Sequence, residues 1–132
     1  MGIKERSERD KRERVERLRK LILNAALSIA KEKGWNAVTI RNIAHQIEYT
    51  PRIIYDIFKS KDEILWQLLI EGNIKLANKI HLVTKDIDNP IKQIPLVINA
   101  IIDFVLKNRT YYEVMYYVKE ADPFKTYKMP AI

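Results

Sequence analysis

Cysteine is absent from this chain of 132 residues, which also holds only two histidines and three glycines. Without cysteine there is no disulfide framework, no thiolate zinc site and no cysteine nucleophile, which fits a reducing compartment. His45 and His81 lie far apart in sequence, and neither belongs to a cluster with metal-ligand spacing. Three glycines are too few for the usual phosphate-cradling loop. The paired carboxylates Asp86 and Asp88 fall in an expected loop, without the surroundings that acid–base chemistry needs. No cofactor or metal is expected, and the chain does not read as an enzyme.

Long apolar runs are missing too. The most apolar stretch, Ile94 to Leu106, is too short for a membrane span and is interrupted by Asn99 and Asp103. The N-terminus is densely charged and lacks an apolar signal core. The expected location is the cytoplasm.

What is present is apolar mass and positive charge. Hydrophobic residues make up 47% of the chain and charged residues 31%, ample for a packed core with a soluble surface. The length suits one domain, or a small domain and part of a second. Net charge is +7 and uneven: residues 1–66 hold 15 Lys/Arg against 10 Asp/Glu, residues 67–132 hold 9 against 7. The first half therefore carries the field that attracts a polyanion. A surface tuned for solubility is the plainer explanation.

Residues 4–20 repeat an acid followed four positions later by a base: Glu5–Arg9, Glu8–Arg12, Asp10–Arg14, Glu13–Arg17 and Glu16–Lys20. That orientation supports an exposed helix by ~0.2–0.5 kcal/mol per pair. Residues 1–17 are read as a charged helical arm, either simply solvated or lying along a DNA backbone. A membrane-surface role is disfavoured, since residues 4–14 have no apolar face. From Val15 the apolar positions Val15, Leu18, Ile22, Ala25 and Ile29 recur at steps of three and four, a helix face. Lys31, Lys33 and Gly34 supply its stop.

Thr39 is placed to cap a short helix burying Ile40, Ile43, Ala44 and Ile47. Glu48, Tyr49 and Thr50 then make a turn, and Thr50–Pro51 opens a second short helix through Phe58. Ile54 and Phe58 turn inward at spacing four, with Ile57 between faces. Pro51, Arg52, Ile53, Tyr55 and Asp56 stay on or near the outside. Ser60 with Glu63 is a capping box opening a long helix to about Thr84, whose face is Ile64, Leu65, Leu68, Leu69, Leu76 and Ile80. Asp88-Asn89-Pro90 starts the next helix, with Pro95 expected to kink it or shift its start. Its wide face of Ile94, Val97, Ile98, Ile101, Ile102 and Val105 predicts an interior position. Asn108 and Arg109 should break it, and Thr110 should cap a last helix ending near Glu120, before Asp122-Pro123 and a loose tail. No strand pattern of useful length occurs, so the fold class is all-α.

Two short braced helices joined by a tight turn are the form in which side chains reach the floor of a DNA groove. The stretch from Arg19 to Leu65 resembles the TetR family of transcriptional repressors. The likeness rests on Arg19, Ile22, Ala25, Ala26, Lys33, Gly34, Thr39, Ile43, Ala44, Ile54, Tyr55, Phe58, Lys59, Ser60, Lys61, Asp62, Glu63 and Leu65. It covers about a third of the chain, and IYDIFKSKDEIL closely follows the family signature.

The resemblance implies a three-helix helix-turn-helix domain, here residues 18–65. A partial helical ligand-binding and dimerisation domain follows, residues 66–132, shorter than the family usually has. It implies phosphate contacts from Thr39 and Arg41, and a groove-facing start of the reading helix at Thr50, Pro51, Arg52 and Ile53. Tyr55, Lys59 and Lys61 would hold the DNA backbone. Two positions depart from the family pattern. Glu48 stands where glycine is usual, in a turn that often needs positive φ, at a strain of ~1–2 kcal/mol. Ile57 replaces an aromatic or histidine that often touches a phosphate.

Chemically, Arg52 suits a bidentate bond to guanine O6 and N7, worth about 1–3 kcal/mol of discrimination; the alternative is a solvated arginine. Ile53 reads either as a thymine-methyl contact or as core. Tyr55 reads either as a phosphate donor or as packing. A dimer on a palindromic double-stranded operator is expected, since one short helix binds weakly. The family's ligand control implies a small apolar or aromatic inducer, here in a pocket of Leu69, Leu76, Ile98, Ile102, Phe104, Tyr112, Met115 and Tyr116. Apolar and aromatic residues at such spacings are more often plain core. The competing function is a protein-interaction module that pairs with another regulator or has lost DNA binding.

Overall fold

A computed structural model describes residues 2–118 of the chain, and side chains among them as far as Val114. Six α-helices follow one another: α1 (Ile3–Lys33), α2 (Ile40–Ile47), α3 (Pro51–Tyr55), α4 (Lys61–Thr84), α5 (Pro90–Lys107) and α6 (Arg109–Val118). A single 3-10 turn, Trp35–Ala37, joins α1 to α2, and no strand occurs among the described residues. The chain divides into two compact units after Ile64.

In the first unit, α1 is one unbroken helix of 31 residues, roughly 45 Å at 1.5 Å per residue. Residues 3–17, its first half, are all exposed. Its second half buries Ile22, Leu23, Ala25, Ala26, Ile29 and Ala30. Gly34 stops it at φ 84°, with its N–H donating to the Ala30 carbonyl at 2.9 Å. Trp35 and Val38 then drop into the core beside Ile43, Ala44, Ile54, Phe58 and Ile64. Burial of each large side chain here contributes about 1.5–3 kcal/mol.

The acid-first pairs of the arm do not close. Among the described residues, its one ion pair has the reverse order, Arg9 to Glu13 at 4.0 Å. Both partners are mostly exposed, and ordering two long side chains in water offsets most of what an ion pair returns.

In the second unit, Asn89 caps α5 through its side-chain oxygen, which accepts from the Ile91 N–H at 3.0 Å. Pro95 sits inside α5, which continues as one span from Pro90 to Lys107. Gly72 is buried, and a Cβ there would come within 3.0 Å of the Tyr111 ring, so its bareness lets α6 approach α4. Asp103 of α5 pairs with Lys79 of α4 and with Lys107 at 3.2 Å. These two ammonium groups hold the Asp103 carboxyl below its ordinary value, Lys79 chiefly. Lys75 donates to the Tyr111 hydroxyl at 3.2 Å, its ammonium 4.8 Å from that ring's centroid.

Three sequence expectations need correction. First, α3 ends at Tyr55 rather than Phe58; Asp56 and Ile57 form a turn that lets Phe58 fall into the core. Second, α6 starts at Arg109, not beyond Thr110. Asn108 alone makes the break, its backbone and side-chain N–H groups both donating to the Phe104 carbonyl at 2.8 and 3.0 Å. Third, α5 does not lie in an interior. Only Ala100 and Phe104 are buried along it, while Ile94, Ile98, Ile101 and Ile102 are exposed. An apolar face is buried only where another element covers it, and the helices of this unit cover the opposite side. The helix end near Glu120, Asp122-Pro123 and the tail lie outside the described residues.

Candidate nucleic-acid interface

Thr39 has extended backbone, and its hydroxyl oxygen accepts from the Asn42 N–H at 3.0 Å, fixing where α2 begins. The Asn42 side chain returns to the Ala37 carbonyl at 2.8 Å. This pins the start of α2 to the preceding turn. The Thr39 hydroxyl proton remains available to an acceptor, and Arg41 beside it is exposed.

The turn after α2 depends on one residue. Glu48 adopts φ 59°, ψ 38°, the one positive φ outside glycine among the described residues. It permits a pair of closing bonds: Tyr49 N–H to Ala44 carbonyl at 3.0 Å and Glu48 N–H to His45 carbonyl at 3.3 Å. These are the two bonds of the Schellman stop, in which glycine is the usual left-handed residue. The chain makes the turn with glutamate, an exposed residue shortly before α3 opens at Thr50.

Thr50 opens α3 in extended conformation but makes no side-chain cap bond, and Pro51 occupies the first turn. Across one turn the helix separates its two faces. Ile54 is fully buried and Phe58 nearly so, while Pro51, Arg52 and Tyr55 are exposed, Tyr55 by 54%. Ile53 is half-buried, between the faces. The side chains expected at a groove are thus held outward by a pair of inward anchors, though α3 has only five residues.

The lysines after α3 differ. Lys59 is exposed, and its backbone N–H donates to the Glu63 carboxylate while the Ser60 hydroxyl accepts from Glu63 N–H at 3.3 Å. The carboxylate half of the expected capping box is therefore shifted back by one residue. Lys61 is half-buried, and its ammonium donates to the Trp35 carbonyl at 3.5 Å. It braces the connection between α1 and α2 as well as carrying charge.

Tyr49, a turn residue by sequence, stands 45% exposed next to Thr50. An aromatic ring in an otherwise polar turn was the signal for it. Ile57 is half-buried and offers nothing to a phosphate.

Of the eight residues expected at a ligand pocket, Leu69, Leu76, Phe104 and Tyr112 line one apolar cleft of about 40 Å³ with Gly72 and Tyr111. Ile98 and Ile102 do not join it; they are 50% and 52% exposed on α5. Met115 and Tyr116 fall within α6, but their side chains lie outside the described residues. Among the described residues no cluster of His, Asp or Glu could hold a metal ion, and no helix is long and apolar enough to cross a membrane.

Residues 22–68 match the family model described as bacterial regulatory proteins, tetR family. No curated protein and no solved structure matches the chain. The matched segment runs from the first fully buried residue of α1 to Leu68 in α4, and so takes in the whole braced helix-turn-helix. Residues 22–68 are thus similar to the N-terminal helix-turn-helix domain of tetR-family regulators.

Proposed function

We propose that the protein is a cytoplasmic repressor that binds a palindromic operator as a homodimer and is released by a small apolar or aromatic ligand. The observation that carries the DNA-reading part is the division of α3: Ile54 and Phe58 buried, Arg52 and Tyr55 exposed. Arg52 reads guanine in the major groove, and Ile53 adds an apolar edge for a thymine methyl. Thr39, Arg41, Tyr55, Lys59 and Lys61 neutralise or bond phosphates around it, which sets affinity and register rather than sequence. Residues 18–65 form this reader and residues 66–132 the regulatory part.

For the ligand, the cleft lined by Leu69, Leu76, Phe104 and Tyr112 offers apolar and aromatic walls. At about 40 Å³ it is far below the ~300 Å³ of a small-molecule site. An inducer would have to part α4, α5 and α6 to enter, and this would bias the long helix that leads to the reader.

Glu48 favours a second reading, a module of the same fold that pairs with another regulator. Its carboxylate would repel a phosphate close to α3. Selection from a randomised duplex library, followed by anisotropy titrations, separates the two. The repressor reading expects a two-fold symmetric consensus, with Arg52→Ala flattening the preference at one position of each half-site. Absence of binding to any duplex at micromolar protein and low salt would leave the interaction module.

A further inference from the structure

We infer that the first half of α1 is a second DNA contact, which lies along the phosphates flanking the site that α3 reads and holds them through Lys4, Lys11 and Arg12. The inference rests on the DNA-binding reading above and adds to it a surface outside the helix-turn-helix. α1 runs unbroken from Ile3 to Lys33, and residues 3–17 are exposed all round. At 1.5 Å per residue that exposed stretch spans roughly 22 Å, enough to pass about six phosphates of one strand at 3.4 Å each. A helix polar on every side either bridges to something else or leans on many i,i+4 pairs. Along this stretch one ion pair closes, Arg9 with Glu13, so internal pairing leaves most of its bases unengaged.

The charge is not spread evenly round the helix. Ile22, Leu23, Ala25, Ala26, Ile29 and Ala30 define the side of α1 that packs on the rest of its unit. At ~100° per residue, Lys4, Glu8, Lys11, Arg12 and Val15 lie within about 60° of the middle of that side. The remainder of the stretch carries Arg6, Arg9, Arg14 and Arg17 against Glu5, Asp10, Glu13 and Glu16. The far side is therefore neutral, and the whole positive excess, three bases against one acid, lies on the near side. That side leads to α3. Arg19, two turns after Arg12 and on the same side, lies over the ring of Phe58, which follows α3. The exposed stretch thus leaves the packed helices beside the end of α3. A duplex held against Arg52 and Tyr55 passes its root, and its phosphates are drawn to the near side. Such contacts add affinity and fix orientation, but carry no sequence information.

The test compares two triple variants of the whole 132-residue chain that remove the same charge from opposite sides. One is Lys4→Gln with Lys11→Gln and Arg12→Gln; the other is Arg6→Gln with Arg9→Gln and Arg14→Gln. Far-UV circular dichroism checks that both keep the wild-type helix content. The probe is a labelled mixed-sequence duplex of about 30 base pairs, titrated by anisotropy between about 50 and 200 mM salt. The near-side triple should lower the slope of log affinity against log salt by about 2–3, at ~0.9 per phosphate lost, and weaken binding at least tenfold. The far-side triple should change the slope by less than one unit. An unchanged slope in the near-side triple would overturn the inference, and so would equal losses in both triples, which would reflect net charge alone. Lys61→Ala separates the two levels. A lower slope there, beside an unchanged near-side triple, keeps the reader and removes the α1 contact. A wild-type chain that binds no duplex at micromolar protein overturns both.

Discussion

The guanidinium of Arg19 lies 5.3 Å from the centroid of the Phe58 ring. One residue belongs to α1 and the other follows α3, so the contact ties α1 to the buried anchor at the end of α3. Phe58 is 1% exposed, and its backbone N–H donates to the Ile54 carbonyl at 2.8 Å, which joins it to the inward side of α3.

Arg19→Ala should therefore cost about 1 kcal/mol, from the cation–π contact and from the packing of the arginine stem. Arg19→Lys should recover part of it, since an ammonium also binds a ring face. Urea unfolding curves for the three proteins are the measurement. An unchanged midpoint in Arg19→Ala would show that the contact holds nothing.

Glu48 combines an unfavourable backbone with an unfavourable charge, and two substitutions pull these apart. Glu48→Gly should stabilise the protein by roughly 0.5–1 kcal/mol, the relief of left-handed strain less the entropy of glycine. Glu48→Gln should leave stability nearly unchanged. Both should tighten DNA binding, by about threefold to fivefold at low salt, because a negative charge leaves the interface. Equal affinity in all three proteins would place Glu48 away from the phosphates.

Lys61 has two roles that give different readouts. As a phosphate partner, its loss in Lys61→Ala should lower the slope of log affinity against log salt by about 0.9. As a donor to the Trp35 carbonyl, its loss should also reduce stability by about 0.5–1 kcal/mol. A fall in melting temperature with an unchanged salt slope would make it a structural lysine only.

Asp103 predicts an acid-side dependence in the second unit. Lys79 and, after it, Lys107 hold its carboxyl below the ordinary aspartate value. A carboxyl depressed in the folded state stabilises at pH above its unfolded value, and that stabilisation is lost as pH falls through the folded value. Asp103→Asn should therefore melt below the wild type near neutral pH, and the gap should close under acid conditions below the ordinary carboxylate range. Thermal melts from pH 7 downwards check this. A gap independent of pH would mean that packing at Asp103, not its charge, matters.

How much of this was legible in the sequence depends on whether the cause is local. Gly34, Thr39 and Pro51 mark helix ends through their own backbone and side-chain chemistry, and all three ends stand where those residues put them. The positive φ expected at Glu48 is likewise a property of a few successive peptides. The spacing of Ile54 and Phe58 was enough to decide which side of α3 faces outward, and with it the candidate reading residues.

The sequence by itself thus determined an all-α chain with a helix-turn-helix and the side chains that it presents. Only the tertiary structure decided what is covered. Periodicity reveals that α5 has an apolar face, but not whether another element lies against it, because burial belongs to the pair of surfaces and not to either one. The same reason hid the contact of Arg19 with Phe58, the carbonyl of Trp35 that engages Lys61, and the exclusion of Ile98 and Ile102 from the cleft. Each joins residues distant in sequence, and no local propensity encodes such a meeting.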